Sequence, residues 1–204
     1  MLPSGSEPQE SLAQLRKQVV ALVRDRGYEW SEEPFELAGG QLTHDYIDGK
    51  YALDSGPRLR LVSRAAVKAA NSLGANFDAV GGLTMGADAL AHGIALVADC
   101  EWFSVRKKPK KHGRQQWIEG SRLESGARVL LVDDVVSTGG SIKQAYDQVI
   151  ATGASVVSVV ALVDRGESGR QLFAERGVPY YALVTYNDLD IEQVRGSEFT
   201  TTAS

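Results

Sequence analysis

The stretch VLLVDDVVSTGGS, residues 129–141, decides how the rest of the chain is read. An apolar run, Val129 to Val132, reads as a buried strand. Two adjacent carboxylates, Asp133 and Asp134, follow at its carboxyl end, where ligands bind in open α/β sheets. Ser137, Thr138, Gly139, Gly140 and Ser141 then turn into a helical pattern. A helix N-terminus offers unpaired N–H groups and the positive end of a dipole. The glycines let backbone approach a phosphate, and the hydroxyls add donors. The acids would repel a phosphate lying against them, so they suit another part of the same ligand, sugar hydroxyls or a divalent cation. The stretch therefore points to a phosphorylated sugar. A simple N-cap in a polar turn is the competing reading, and the acid pair directly after a buried strand weighs against it. Neither G-x-x-x-x-G-K-[ST] nor G-x-G-x-x-G occurs, so nucleotide-hydrolysing and dinucleotide motifs of those types are unsupported.

Working outward, SIKQAYDQVIATG is a helix stopped by Gly153, and SVVSVVALVD a strand apolar on both faces. SGRQLFAERG reads as a short helix and VPYYALVTY as a last strand. Upstream, Leu12, Leu15, Val19, Leu22 and Val23 recur at helical spacing until Gly27. FELAGGQLTHDYIDGKYALD reads as short strands and turns, LRLVSRAAVKAANSLG as a helix ending at Gly74, and DAVGGL as a strand. MGADALAHGIALVAD is a helix, EWFSVRK a strand. Strands alternating with helices, the strongest of them continuous Val/Leu runs, predict a doubly wound, mainly parallel α/β sheet flanked by helices. The expected organisation is a flexible N-terminus over 1–10, one domain over 11–190, and a polar tail over 191–204. Within the domain, residues 11–57 form an N-terminal helix and a small hood.

The 204 residues suffice for one such core, and the formal net charge of −4 carries no global basic field of a nucleic-acid binder. No apolar run is long enough to span a bilayer, and MLPSGSEPQE lacks an apolar signal core. The lone Cys100 forms no internal disulfide. A cytoplasmic protein without membrane or nucleic-acid partners is expected.

Two further segments stand out. WFSVRKKPKKHGRQQW carries Arg106, Lys107, Lys108, Lys110, Lys111 and Arg114 with no acid among them. Pro109 and Gly113 make it a loop. By itself it reads as solvated surface; beside a phosphosugar cradle it reads as a lid that closes over an anionic ligand and excludes water. VGGLTMGAD, residues 80–88, is a second strand end whose backbone could hold another phosphate cluster, or whose glycines serve only close packing of strand on helix.

VLLVDDVVSTGGS resembles the phosphoribosyl-pyrophosphate (PRPP) motif of type I phosphoribosyltransferases. VRKKPKKHG resembles the catalytic loop of the orotate branch of that family, and DAVGGLTMGADALAHGIAL its pyrophosphate-side loop and following helix. The three lie in the family's order between residues 78 and 141, with weaker similarity to about residue 190.

The resemblance implies a type I phosphoribosyltransferase-like sheet with a base-side hood. It implies transfer of the 5-phosphoribosyl group from PRPP to orotate with release of pyrophosphate, a step of pyrimidine nucleotide synthesis. Asp133 and Asp134 would meet the ribose hydroxyls, and Val135, Val136 and residues 137–141 the 5′-phosphate. Arg106, Lys107, Lys110 and His112 would reach pyrophosphate from a mobile loop, in this family often across a homodimer interface, with Lys110 catalytic. Thr84, Met85 and Gly86 would line the pyrophosphate side, and Ser137, Arg165 and Tyr46 the base. Mg²⁺ would be held mainly by PRPP, with no direct protein ligand. The family usually has a lysine where Met85 stands, and AGGQLTHDYID replaces the usual Ser-Gly-Arg of the base-side loop. A transferase for another base and a non-catalytic PRPP-sensing regulator therefore stay open, although a sensor needs no basic lid.

Overall fold

A computed structural model describes residues 10–37, 40–109 and 117–195. The chain starts with α1 (Leu12–Arg26), whose first turn is closed by a reciprocal pair: Gln14 N–H donates to Ser11 Oγ and Ser11 N–H to Gln14 Oε1. β1 (Tyr28–Glu36) and β2 (Leu42–Ile47) form an antiparallel hairpin separate from the main sheet, and a 3-10 turn over Gly49–Ala52 follows. α2 (Gly56–Ser72), β3 (Ala79–Leu83), α3 (Asp88–Ala98), β4 (Glu101–Val105), β5 (Ile118–Gly120) and β6 (Arg128–Val136) come next. α4 (Gly140–Ile150), β7 (Ser155–Asp164), α5 (Ser168–Ala174), β8 (Tyr180–Thr185) and α6 (Tyr186–Leu189) complete the described elements.

The main sheet has the order β5-β4-β3-β6-β7-β8. All neighbours are parallel except β4 and β5. Its two faces are both covered, as continuous Val/Leu strands require. One face packs Leu130, Val132, Val160 and Leu162 against α1, α2 and α3. The other packs Val129, Leu131, Val159 and Ala161 against α4 and α5. No helix of the described residues is long and apolar enough to cross a membrane.

Two boundaries differ from expectation. Glu10 is held rather than frayed: Gln18 Nε2 donates to it at 2.7 Å, and Arg64 pairs with it at 3.1 Å. Past residue 191 the chain stays docked, because Val194 is buried, bridges Gly166 and donates its N–H to the Arg165 carbonyl. The expectations for residues 1–9 and 196–204 lie outside the described residues. β5 was not foreseen; it is three residues long and exists because β4 offers an edge to pair with. α6 was likewise missed. The Thr185 and Asp188 side chains close it reciprocally, and Arg16 from α1 pairs with Asp188.

One buried acid makes stability depend on pH. Asp164 is 3 % exposed, accepts from the Tyr180 hydroxyl at 2.6 Å and from Gly166 N–H, and burial pushes its pKa up to about 6. A carboxyl whose folded pKa lies above its unfolded value binds its proton more tightly in the folded state. Its ionisation therefore costs stability as pH rises from about 4 to about 6 and beyond, on the order of 3 kcal/mol. Asp164→Asn is expected to flatten that loss. Denaturant midpoints of both proteins at acid and neutral pH check it; an equal wild-type-to-variant difference at both would contradict the assignment.

Candidate active site

β3 and β6 are neighbours, but α3 leaves β3 on one face of the sheet and α4 leaves β6 on the other. Their carboxyl ends therefore open a crevice at the switch in strand order, where α/β sheets bind ligands. Both loops singled out in the sequence meet there.

From β6 come the acids. Asp133 is 4 % and Asp134 8 % exposed. Asp134 N–H donates to Asp133 Oδ1 at 3.1 Å, and Val135 N–H to Asp134 Oδ1 at 3.0 Å. Burial, with the Asp134 charge second, pushes the Asp133 carboxyl well above the usual range. A strongly desolvated acid pair of this kind gains from incoming hydroxyl donors or a cation. Beyond Val136, Gly139 adopts φ +82, and no side chain caps α4. The N–H groups of its first turn are thus left for an outside acceptor, as the anion-cradle reading requires. Val135 touches the hood turn, and Val136 packs into the core beneath α4; both support the loop rather than face the crevice.

From β3 comes the opposite wall. The glycines of this segment divide between the two roles weighed for them. A Cβ on Gly82 would lie 2.1 Å from the Val132 carbonyl, and one on Gly81 2.3 Å from that of Phe103, so these two serve packing. A Cβ on Gly86 would lie 2.2 Å from Asp134 Oδ1, so Gly86 serves the acid. The Thr84 and Ser104 hydroxyls both donate to Asp88, each at 2.6 Å, which fixes the loop. The Thr84–Met85 peptide bond is cis, and Met85 stands 72 % exposed.

Gly86→Ala is expected to lower turnover at this crevice at least tenfold with a melting temperature close to wild type, because the blocked atom is a side-chain end that can swing away. Gly82→Ala meets backbone and is expected to destabilise the fold instead. Thermal melts and turnover of both variants check the pair; an active Gly86→Ala would separate this loop from the chemistry.

Lys50, Thr84, Met85, Gly86, Arg106, Lys107 and Lys108 line a cleft of about 620 Å³ over these loops. Arg106 reaches Glu119 at 3.3 Å, and the Lys107 carbonyl accepts from Gln144 of α4, so the start of the basic loop is tied to both sides. Lys107 lies close enough to Asp133 to favour its charged form. Lys110 and His112 lie outside the described residues.

The base-side residues are only partly brought together. Arg165, 2 % exposed, crosses from the end of β7 to the hood and donates to the Asp45 carbonyl at 2.8 Å and to Thr43 Oγ1 at 3.5 Å. Its Nε has no hydrogen-bond partner among the described residues, and burial lowers its pKa. Tyr46 alternates to the other face of β2 from buried Thr43, is exposed, and packs edge-on with Phe35. It borders a hollow with Arg26 and Tyr28 rather than the cleft. Ser137 lies on the loop that follows the acids.

Sequence reasoning missed Lys50, which it read as part of a turn. It also missed Gly49, where a Cβ would lie 3.1 Å from Asp134 Cβ. The only signal for either was a charged residue beside an Asp-Gly turn. Among the described residues, no three His, Cys, Asp or Glu side chains gather to hold a metal.

A family model described as the phosphoribosyl transferase domain matches residues 52–172. An orotate phosphoribosyltransferase of Aquifex aeolicus is 36% identical over 180 residues, covering 85% of this chain and 97% of the relative. One of Pyrococcus abyssi is 34% identical over 175 residues, covering 86% and 95%. The crystal structure of the Mycobacterium tuberculosis H37Rv orotate phosphoribosyltransferase in complex with PRPP superposes with a TM-score of 0.68 at 28% identity, covering 86% of this chain and 98% of that one.

Proposed function

The chain belongs to the phosphoribosyl transferase family, and from that premise we propose that it is an orotate phosphoribosyltransferase. It transfers the 5-phosphoribosyl group of PRPP to orotate and releases pyrophosphate. The observation that carries this reading is the meeting of Asp134, the uncapped start of α4 and a cation-lined cleft at one crevice. That arrangement offers acceptors for ribose hydroxyls, donors for a 5′-phosphate and positive charge for a pyrophosphate. The orotate phosphoribosyltransferases among its relatives supply the base.

In the reaction a ring nitrogen of orotate forms a bond to C1 of the ribose as the C1–O bond to pyrophosphate breaks. Positive charge develops on the ribose ring, as in glycoside chemistry. Asp133 and Asp134 hold the ribose 2′ and 3′ hydroxyls, and residues 137–141 hold the 5′-phosphate, so C1 is placed against the cleft. Arg106 and Lys107, continued by Lys110 and His112, stabilise the charge that gathers on the leaving group. The lid excludes water that would otherwise take the ribosyl group. Arg165 and Ser137 face the base.

Mg²⁺ fits this donor set as an ion carried in by the substrate. Such an ion keeps phosphates and waters as ligands and needs at most one or two protein carboxylates, and Asp134, with Oδ2 3.8 Å from the Nζ of cleft-lining Lys50, is a carboxylate at the edge of the cleft. When bound, it neutralises pyrophosphate charge. We also propose that the active species is a homodimer sharing the basic loop. Leu96, Val97 and Trp102 are exposed on α3 and β4 and would give a second copy an apolar face; light scattering that returns a monomer at assay concentration would argue against it.

The test is to incubate the protein with PRPP, Mg²⁺ and a panel of bases and follow pyrophosphate release. Orotate is expected to be consumed with formation of orotidine 5′-monophosphate. Turnover of another base with none of orotate would replace the assignment, and PRPP binding with no turnover of any base would favour a sensor.

A further inference from the structure

Lys50 is a cation that none of the motif readings used, and its surroundings set it apart from a surface lysine. It sits in the 3-10 turn after the hood, and that turn is pressed onto the acid strand. A Cβ on Gly49 would come within 3.1 Å of both the Cβ and the carbonyl oxygen of Asp134. Asp48 N–H donates to the Gly27 carbonyl at 2.8 Å, which anchors the turn from the other side. Lys50 therefore has a fixed origin beside the acid pair. Its Nζ lies 2.7 Å from Asp48 Oδ1 and 3.8 Å from Asp134 Oδ2. Its side chain lines the same cleft as Met85, Gly86, Arg106 and Lys107.

These contacts describe a cation shared between two acids at the mouth of an anion cleft. When ribose hydroxyls occupy Asp134, that carboxylate has less to offer the ammonium. Lys50 is half-exposed, and its long stem, already part of the cleft wall, can swing its ammonium from the acid toward a ligand there. Across the cleft, the β3–α3 loop presents the uncharged Met85, so the positive charge of the crevice comes from the basic loop and from Lys50.

We propose that Lys50 is a pyrophosphate-binding residue, held at rest between Asp48 and Asp134 and passed to the pyrophosphate oxygens of PRPP as the ribose takes Asp134. This rests on the phosphoribosyltransferase reading of the site. The exchange makes one cation serve two states. It offsets the repulsion of the empty acid pair, and it binds the leaving group once the acids are occupied.

The experiment is calorimetric titration of the full-length protein with Mg-PRPP and with Mg-pyrophosphate, alongside steady-state kinetics. Lys50→Met is expected to weaken Mg-PRPP by roughly ten- to a hundredfold and Mg-pyrophosphate, which leaves Asp134 free to keep the ammonium, by less, with the KM for orotate little changed. Lys50→Arg should stay close to wild type. Asp48→Asn should also bind as wild type or tighter, because it frees the ammonium without removing it. Lys50→Met/Met85→Lys, which returns the charge from the opposite wall, should recover part of the affinity. Unaltered binding by Lys50→Met overturns the proposal. So does an equal loss in Lys50→Met and Asp48→Asn, which would mark the pair as a brace of the hood. The titrations need no base, so failure of orotate to react would replace the base assignment and leave the Lys50 result standing. A wild-type protein that binds neither ligand would overturn both readings.

Discussion

Replacing Asp133 and Asp134 together by Asn is expected to remove most turnover, by about 10²–10⁴-fold in kcat/KM for PRPP, and to leave the fold standing. A hydrogen bond to a charged group contributes about 1.5–3 kcal/mol, so two carboxylates lost from ribose hydroxyls account for roughly 10²–10⁴. The fold should survive because the pair is costly as it stands. Both side chains are buried, next to one another, and burial already raises the Asp133 carboxyl well above its ordinary range. A raised folded pKa means that ionisation costs stability as pH climbs through it. The Asn pair has no such loss, so the variant should melt at or above the wild-type temperature at neutral pH. Thermal melts and PRPP saturation curves read the two effects separately. Normal turnover in the double variant would show that sugar hydroxyls do not engage these acids.

The same residues show what the chain discloses before it folds. The sheet was legible because β6 and β7 carry short apolar runs rich in β-branched valine, bounded by Gly turns, the pattern of a strand covered on both faces. The acids and the Gly-rich turn were legible because they follow one another in sequence. What stayed hidden depends on residues distant in the chain. Lys50 becomes part of the site because Gly49, 85 positions before Asp134, lets the hood turn lie on it. Gly81, Gly82 and Gly86 look alike in sequence. What separates them is the atom each one faces: a backbone carbonyl for the first two, a carboxylate for the third. β5 is too short to carry a period, and α6 is stabilised by Arg16 from the first helix. The resemblance implied Tyr46 at the base, but strand alternation turns it away from the face that Thr43 shares with Arg165.

Arg165→Ala is the other change with a large expected effect, and it bears on the base. Orotate carries a carboxylate, and residues 40–42 supply no positive charge. Arg165 is a buried guanidinium at the junction of sheet end and hood, with Nη2 donating to two hood acceptors and an Nε without a partner among the described residues. A cation this desolvated has strong reason to accept an anionic partner. Its removal should raise the KM for orotate tenfold or more, as loss of a charge-assisted bond of roughly 1.5–3 kcal/mol implies. The KM for PRPP should stay within about twofold, since the acids and the α4 cradle are built on other strands. The tie to Asp45 complicates the reading, because the alanine also frees one edge of the hood. Arg165→Lys separates the two roles: it can keep a charge near the base but loses the planar guanidinium whose Nη2 holds the hood while Nε stays open. If Lys restores orotate affinity, the charge carries the effect. If Lys and Ala raise the KM for orotate and for an uncharged pyrimidine alike, Arg165 only braces the hood, and the carboxylate must be met by backbone N–H groups of the base-side loop.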